Sequence, residues 1–406
     1  MMKLFDDIIR AEQDFMMYSE PRFRYLNRSA RPEIAVIRKV LEDWFSRFPP
    51  DGMSELRKRF QSTDDPNHLS AFFELFLNEI LLRLGCKVSV HPRVSSSSMR
   101  APDFFVESPS GGCFYLEAVL ATDESREDSA AKARMNMVYD KLNEIDSPVF
   151  FIGMELRGLP KNQPCAKDIR SFVQKCLATI NPDEIKELEI TRGQEALPRW
   201  IYEGEGWKIE FFPILKSRKE RGRAGVRPFA VHLQGFSQVD PRLSIRDAII
   251  KKASRYGDLD LPYVVAVNAL SMYVERTNIM EALFGQEPPF SIVDGIKDSQ
   301  PEWERKERIL DGAWTEKSRP RYKGVSAVLI AKRVTYSNVV NALVRLYHNP
   351  WASRPYNLDL SRLPQGIPQG HEMISQDGES LKSILSLPHD WPEKEKEAYQ
   401  NGPFEF

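Results

Sequence analysis

The stretch PDFFVESPSGGCFYLEAVLA, residues 102–121, constrains the fold more than any other part of the chain. SPSGG has the chemistry of a tight turn, and the runs on either side are rich in aromatic and β-branched residues, so the stretch predicts a β-hairpin. A five-residue loop pairs Glu107 with Cys113, and the same register sets Asp103 directly opposite Glu117. Phe104, Val106, Phe114, Leu116 and Ala118 then share a wholly apolar face, which must be the core side. Asp103, Phe105, Glu107, Cys113, Tyr115, Glu117 and Val119 share the other face. Opposed residues have Cβ atoms roughly 4.5–5.5 Å apart. Two carboxylates that close repel unless a proton or a cation sits between them. A hard divalent cation such as Mg²⁺ suits oxygen ligands in that geometry; the alternative is a solvated polar face.

Around the hairpin the chain alternates helix and strand. PEIAVIRKVLEDWFSRF places Ile34, Ile37, Val40, Leu41 and Trp44 at helical spacing, and PPDG reads as its end. PNHLSAFFELFLNEILLRLG is a stronger helix with Gly85 as its stop. CKVSVHPRV precedes the hairpin as a further strand, a helix is expected over residues 125–145, and SPVFFIGMEL has the continuous apolar run of a buried strand. The order is helix, three strands, helix, strand. DIRSFVQKCLATI predicts a helix and GWKIEFFPIL a strand, and SIRDAIIKKASRYGDLDLPYVVAVNAL predicts another helix–strand pair. GVSAVLIAKRV is one more strand, LYHNPWA reads as an ordered loop, and the Pro-, Gly- and Ser-rich tail after Arg354 reads as peripheral. The expected fold is α/β (α+β), a central mixed sheet flanked by helices. Its divisions are a helical N-terminal region (1–60), an α/β core (61–275) and a C-terminal extension packing on that core with a partly flexible tail (276–406).

Composition excludes more than it selects. Lys and Arg number 57 against 58 Asp and Glu, a net charge of −1, so a nucleic-acid footprint has to be a local patch. Cys86, Cys113, Cys165 and Cys176 are widely spaced and contain no C-x-x-C pair, which argues against structural zinc and for buried thiols of a reducing compartment. MMKLFDDIIRAEQDF is acidic where a signal peptide is basic, and no run approaches the ~18 apolar residues that span a bilayer. A cytoplasmic location with no membrane partner is expected.

Glu74 lies in SAFFELFLNEILL, among Phe73, Leu75, Phe76 and Leu77, where a charge is costly to bury without a partner; the alternative is a helix edge that reaches water. With Pro102-Asp103 opening one strand, Glu117 in the next, and the helix–strand order above, the chain resembles the PD-(D/E)xK, or restriction-endonuclease-like, nuclease superfamily over roughly residues 66–156, with an outer bound near 270. It also looks like bacterial proteins of this kind to which no activity is assigned. The resemblance implies a Mg²⁺- or Mn²⁺-dependent DNA hydrolase in which Glu74, Asp103 and Glu117 hold the metal. It departs from the family at the motif lysine, whose position is Val119.

Another residue must then supply the cation. Ile245, Ala248, Ile249, Lys252 and Tyr256 fall on one helical stripe, so Lys252 sits where an amine needs an acceptor; the alternative is a packed stem whose amine reaches water. Arg134 flanks the apolar stripe of the helix after the hairpin and could clamp a phosphate or form a structural ion pair. The segment 216–227 carries Arg218, Lys219, Arg221 and Arg223 among its basic residues, fit for sequence-independent phosphate contacts or simply a solvated loop. His91 and His348 have no partner at metal-ligand spacing. Three readings follow: a nuclease in restriction or phage defence, an inactive nuclease fold that binds nucleic acid or a protein partner, and a structural protein without a site. A homodimer is compatible with each.

Overall fold

Proline sets the start of much of the helical structure. Among the described residues, five helices carry it in their first turn, where its fixed φ suits the helix and its missing N–H costs nothing. The structure, a computed structural model, describes residues 2–92, 94, 101–123, 125–222, 227–232, 240–271, 274–286, 291–292, 311–316, 319–357, 359–370, 372–388 and 391. The chain begins with α1 (Arg22–Arg28), α2 (Pro32–Ser46), α3 (Pro50–Phe60) and α4 (Asp65–Arg83), followed by β1 (Lys87–Val90), β2 (Phe104–Glu107), β3 (Cys113–Ala121) and α5 (Arg126–Leu142). Next come β4 (Phe150–Gly158), α6 (Ala166–Leu177), α7 (Pro182–Arg192), β5 (Trp200–Gly204), β6 (Trp207–Leu215) and β7 (Phe229–His232). Then follow α8 (Pro241–Ala253), β8 (Tyr263–Ala269), α9 (Arg276–Phe284), β9 (Ser291–Ile292), β10 (Thr315–Glu316) and β11 (Arg319–Pro320). The chain closes with β12 (Ala327–Lys332), β13 (Leu343–His348), β14 (Gln365–Gln369), β15 (Glu372–Gln376) and α10 (Leu381–Leu385).

The fold is mixed α/β, as expected. A nine-stranded sheet runs β1-β2-β3-β8-β12-β13-β14-β15-β9, with β3, β8 and β12 parallel at its centre and antiparallel pairs at β1–β2, β2–β3 and β12–β13. Phe104, Val106, Phe114, Leu116 and Ala118 face the N-terminal helices and join their core. α4 lies inside that layer and is buried from Leu69 to Leu81 apart from Ser70, its buried polar side chains including Glu74, Asn78 and Glu79, and Gly85, at φ +84°, ends it. The opposite face of the sheet packs Tyr115, Ala121, Val265 and Val267 against α8 and α9.

Three expectations and one alternative need correction. The strand in SPVFFIGMEL forms as β4, but it belongs to a separate four-stranded sheet, β5-β6-β4-β7, whose core faces α5 and α6. The place beside β3 is taken by β8, so residues 126–232 are an insertion between two adjacent strands. The second hairpin face is not a solvated one along its length: Tyr115 and Glu117 are buried, Glu117 fully, while Glu107 near the turn is exposed. The chain after 276 does more than pack on the core: β12 sits next to β8 near the centre of the sheet, and the tail buries Leu360, Leu363, Leu381, Ile384 and Leu385. Cys165 is exposed, where buried thiols were expected. No helix among the described residues is long and apolar enough to cross a membrane.

Candidate functional site

The hairpin adopts the predicted register, Glu107 opposite Cys113 through Phe104 opposite Leu116. Continued by one residue, it sets Asp103 against Glu117, where the ladder gives way to side chains. Tyr115 sends its N–H to Pro262 on the β8 side, so by alternation Ala118 points its N–H toward β2. The Ala118 N–H donates to the Asp103 carboxylate through Oδ2 at 2.8 Å. In return the Asp103 N–H donates to Glu117 Oε2 at 3.2 Å. The two acidic residues are thus locked together by each other's strands.

Glu117 points toward α8, which brings Lys252 to it. Lys252 Nζ donates to Glu117 Oε1, and Arg255 Nη1 donates to the same oxygen at 3.0 Å. Tyr256 Oη donates to Oε2 at 2.6 Å. With the Asp103 N–H, four donors surround a carboxylate that has about four lone-pair positions. A buried carboxylate is tolerable only when paired and hydrogen-bonded in this way. Burial, and next the Glu117 charge, push the Tyr256 hydroxyl well above its ordinary range, so it stays a donor.

Asp103 is less well compensated. Burial first, then the neighbouring Glu117 and Glu74 carboxylates, push its pKa up to about 8. Glu74, 7% exposed on α4, does not join the pair directly: Arg59 of α3 grips it through both nitrogens, Nη1 to Oε1 at 2.6 Å and Nη2 to Oε2 at 2.5 Å. That bidentate bond raises the Arg59 pKa. Among the described residues, no group of three or more His, Cys, Asp or Glu side chains is placed to hold a metal ion.

The remaining candidates lie elsewhere. Val119 packs partly buried against the core under α8, with no polar role. Arg134 Nε donates to the Pro160 carbonyl at 2.9 Å, which ties α5 to the end of β4. Arg218 and Lys219 are exposed in the turn after β6, Arg221 Nε donates to the Lys216 carbonyl at 3.2 Å, and Arg223 lies outside the described residues. This loop belongs to the inserted sheet. His91 holds a left-handed backbone, φ +48°, at the end of β1, where its N–H donates to the Asp103 carbonyl and its ring lies 3.2 Å from Glu55. His348 bonds Gln365 and the Tyr356 carbonyl.

Sequence reasoning found Asp103, Glu117, Glu74 and Lys252 but missed Arg59, Arg255 and the role of Tyr256. Tyr256 was visible as a member of the Lys252 stripe, and Arg255 lies just past the end of α8. Arg59 was hidden because α3 itself was read as the end of α2. Comparison of the chain with family models, with curated proteins and with solved structures returned no match.

Proposed function

We propose that the protein is a divergent metal-dependent nuclease that hydrolyses DNA phosphodiesters. The observation that supports this reading is the meeting of Asp103, Glu117 and Lys252: two adjacent carboxylates and a primary amine, with the amine arriving from α8 where Val119 offers no cation. The donor set fits Mg²⁺ or Mn²⁺ in type, since both carboxylates are hard oxygen ligands and Asp103 lies in an environment short of positive charge. Asp103 and Glu117 would hold the ion, with Glu74 balancing Arg59 beside them. When bound, the ion polarises the phosphate and lowers the pKa of a water. Lys252 compensates charge on the phosphate, and Tyr256 fixes the orientation of Glu117. Arg218, Lys219 and Arg221 add sequence-independent phosphate contacts. A cytoplasmic role in bacterial restriction or phage defence, with DNA as partner, accords with this chemistry.

A second reading, an inactive nuclease fold that binds nucleic acid or a protein, draws on a specific observation. Glu117 already has four donors, and Glu74, Asp103 and Glu117 are matched in number by Arg59, Lys252 and Arg255. Calorimetry with Mn²⁺ and cleavage of linear, nicked and single-stranded DNA separate the two. On the nuclease reading Asp103→Asn loses metal binding and cleavage together, whereas Lys252→Ala keeps metal affinity near normal and loses turnover by roughly 10²-fold or more. A wild type that binds Mn²⁺ and DNA but cuts nothing decides for the binding module.

A further inference from the structure

Glu117 cannot accept a cation while all four of its donors remain in place. The four are not equally held. The Asp103 N–H belongs to a main chain pinned on both sides, by the His91 N–H on its carbonyl and by its own carboxylate on Ala118. Tyr256 is 2% exposed, with its ring edge-on to Tyr263 at 5.8 Å. The Lys252 side chain is 13% exposed and rises from the buried stripe of α8. Arg255 differs from all three: it lies beyond the last residue of α8, its side chain is 34% exposed, and among the described residues it reaches Glu117 through Nη1 alone.

We propose that Arg255 is a phosphate-binding residue that leaves Glu117 when a divalent cation arrives. The inference rests on the nuclease reading and extends it. On leaving Glu117, Arg255 keeps its charge on the exposed side of the cluster, beside the carboxylates, where a substrate phosphate would lie. Its guanidinium has five N–H donors in a planar fork matched to two phosphate oxygens. The exchange couples two ligands. A backbone phosphate that takes Arg255 exposes a lone pair of Glu117 to the cation, and a cation that takes the lone pair releases Arg255 to the phosphate. By linkage each must tighten the other by the same factor.

The test titrates Mn²⁺ by calorimetry into wild type, Arg255→Gln and Arg255→Lys, with and without a short phosphorothioate duplex that resists cleavage. Duplex affinity is measured against salt in parallel. The wild type should bind Mn²⁺ about fivefold or more tighter with the duplex present. Arg255→Gln should bind Mn²⁺ tighter than wild type without the duplex, gain nothing from the duplex, and lose about 0.9 from the slope of log affinity against log salt. If wild type binds both ligands and Arg255→Gln matches it in Mn²⁺ affinity and salt slope, Arg255 is a structural clamp and the proposal falls while the nuclease reading stands. A wild type that binds neither Mn²⁺ nor duplex overturns both. Should Arg255→Gln fail to fold, Arg255→Lys decides: its weaker, single-point hold on Glu117 should tighten Mn²⁺ binding with the salt slope kept, and an unchanged Mn²⁺ affinity overturns the proposal.

Discussion

Asp103 carries a cost that its position makes measurable. Its pKa is about 8 in the fold against 3.8 in an unfolded chain, because burial and two carboxylate neighbours oppose its charge. The folded state therefore holds the proton more tightly. Stability from this residue is present below pH ~4 and is lost as pH rises toward 8. In metal-free protein, Asp103→Asn should raise the unfolding free energy above pH 8, measured by urea titration, by an amount on the order of a few kcal/mol and change it little near pH 4. On the proposed nuclease reading the same substitution should also abolish cleavage, which would make Asp103 a residue that trades stability for function. Tyr256→Phe probes the other side of the pair: Glu117 loses one of four donors while the ring stays packed, which should cost about 1–3 kcal/mol by denaturant titration.

At the scale of elements, α8 is the part that makes a site out of a hairpin. Asp240 caps it, its side chain accepting the Arg242 N–H at 3.1 Å, and Pro241 follows at the first turn. Asp240→Ala should cost about 1 kcal/mol of stability and lower turnover more than DNA affinity, because the helix it frays positions Lys252. The hairpin and α8 were legible in the sequence for a shared reason. Period-two alternation around a turn fixes a register, and a period near 3.6 fixes a stripe, so Asp103 opposite Glu117 and Lys252 facing inward both follow from local spacing. The neighbour of β3 was not legible. β4 and β8 are both apolar strands that follow a helix, and only long-range pairing chooses between Phe150–Gly158 and Tyr263–Ala269. α3 was missed because Pro-Pro-Asp-Gly suits a turn as well as a helix start, and with α3 went Arg59. The tail misled through composition: its Pro, Gly and Ser residues surround leucines that lie in the core.

For the whole molecule, two buried groups tilt stability in opposite directions. His68 is fully buried among Phe23, Phe60 and Tyr336, with Nδ1 against the Phe60 carbonyl at 2.5 Å, and burial drives its pKa down to about 4. Its stability contribution is intact above pH 6.5 and is lost as pH falls toward 4, roughly 3 kcal/mol in all. The Asp103 and His68 windows overlap between pH 4 and 6.5, where their slopes oppose and nearly cancel, so these two groups should leave the urea midpoint of the metal-free protein almost flat there and lower it between pH 6.5 and 8. The inserted sheet has a different consequence, for the order in which the protein is made. Glu117 and Lys252 touch across 135 residues of sequence. At the usual ~5–20 residues per second, a ribosome delivers the acidic hairpin roughly 7–27 s before its lysine. Through that interval β3 is an unpaired edge carrying two uncompensated carboxylates. The inserted sheet packs with α5 and α6 in a core that also takes in Tyr18, all of it synthesised before β8. The site closes only when α8 arrives, and a nascent protein stalled before α8 has Asp103 and Glu117 without Lys252 and Arg255.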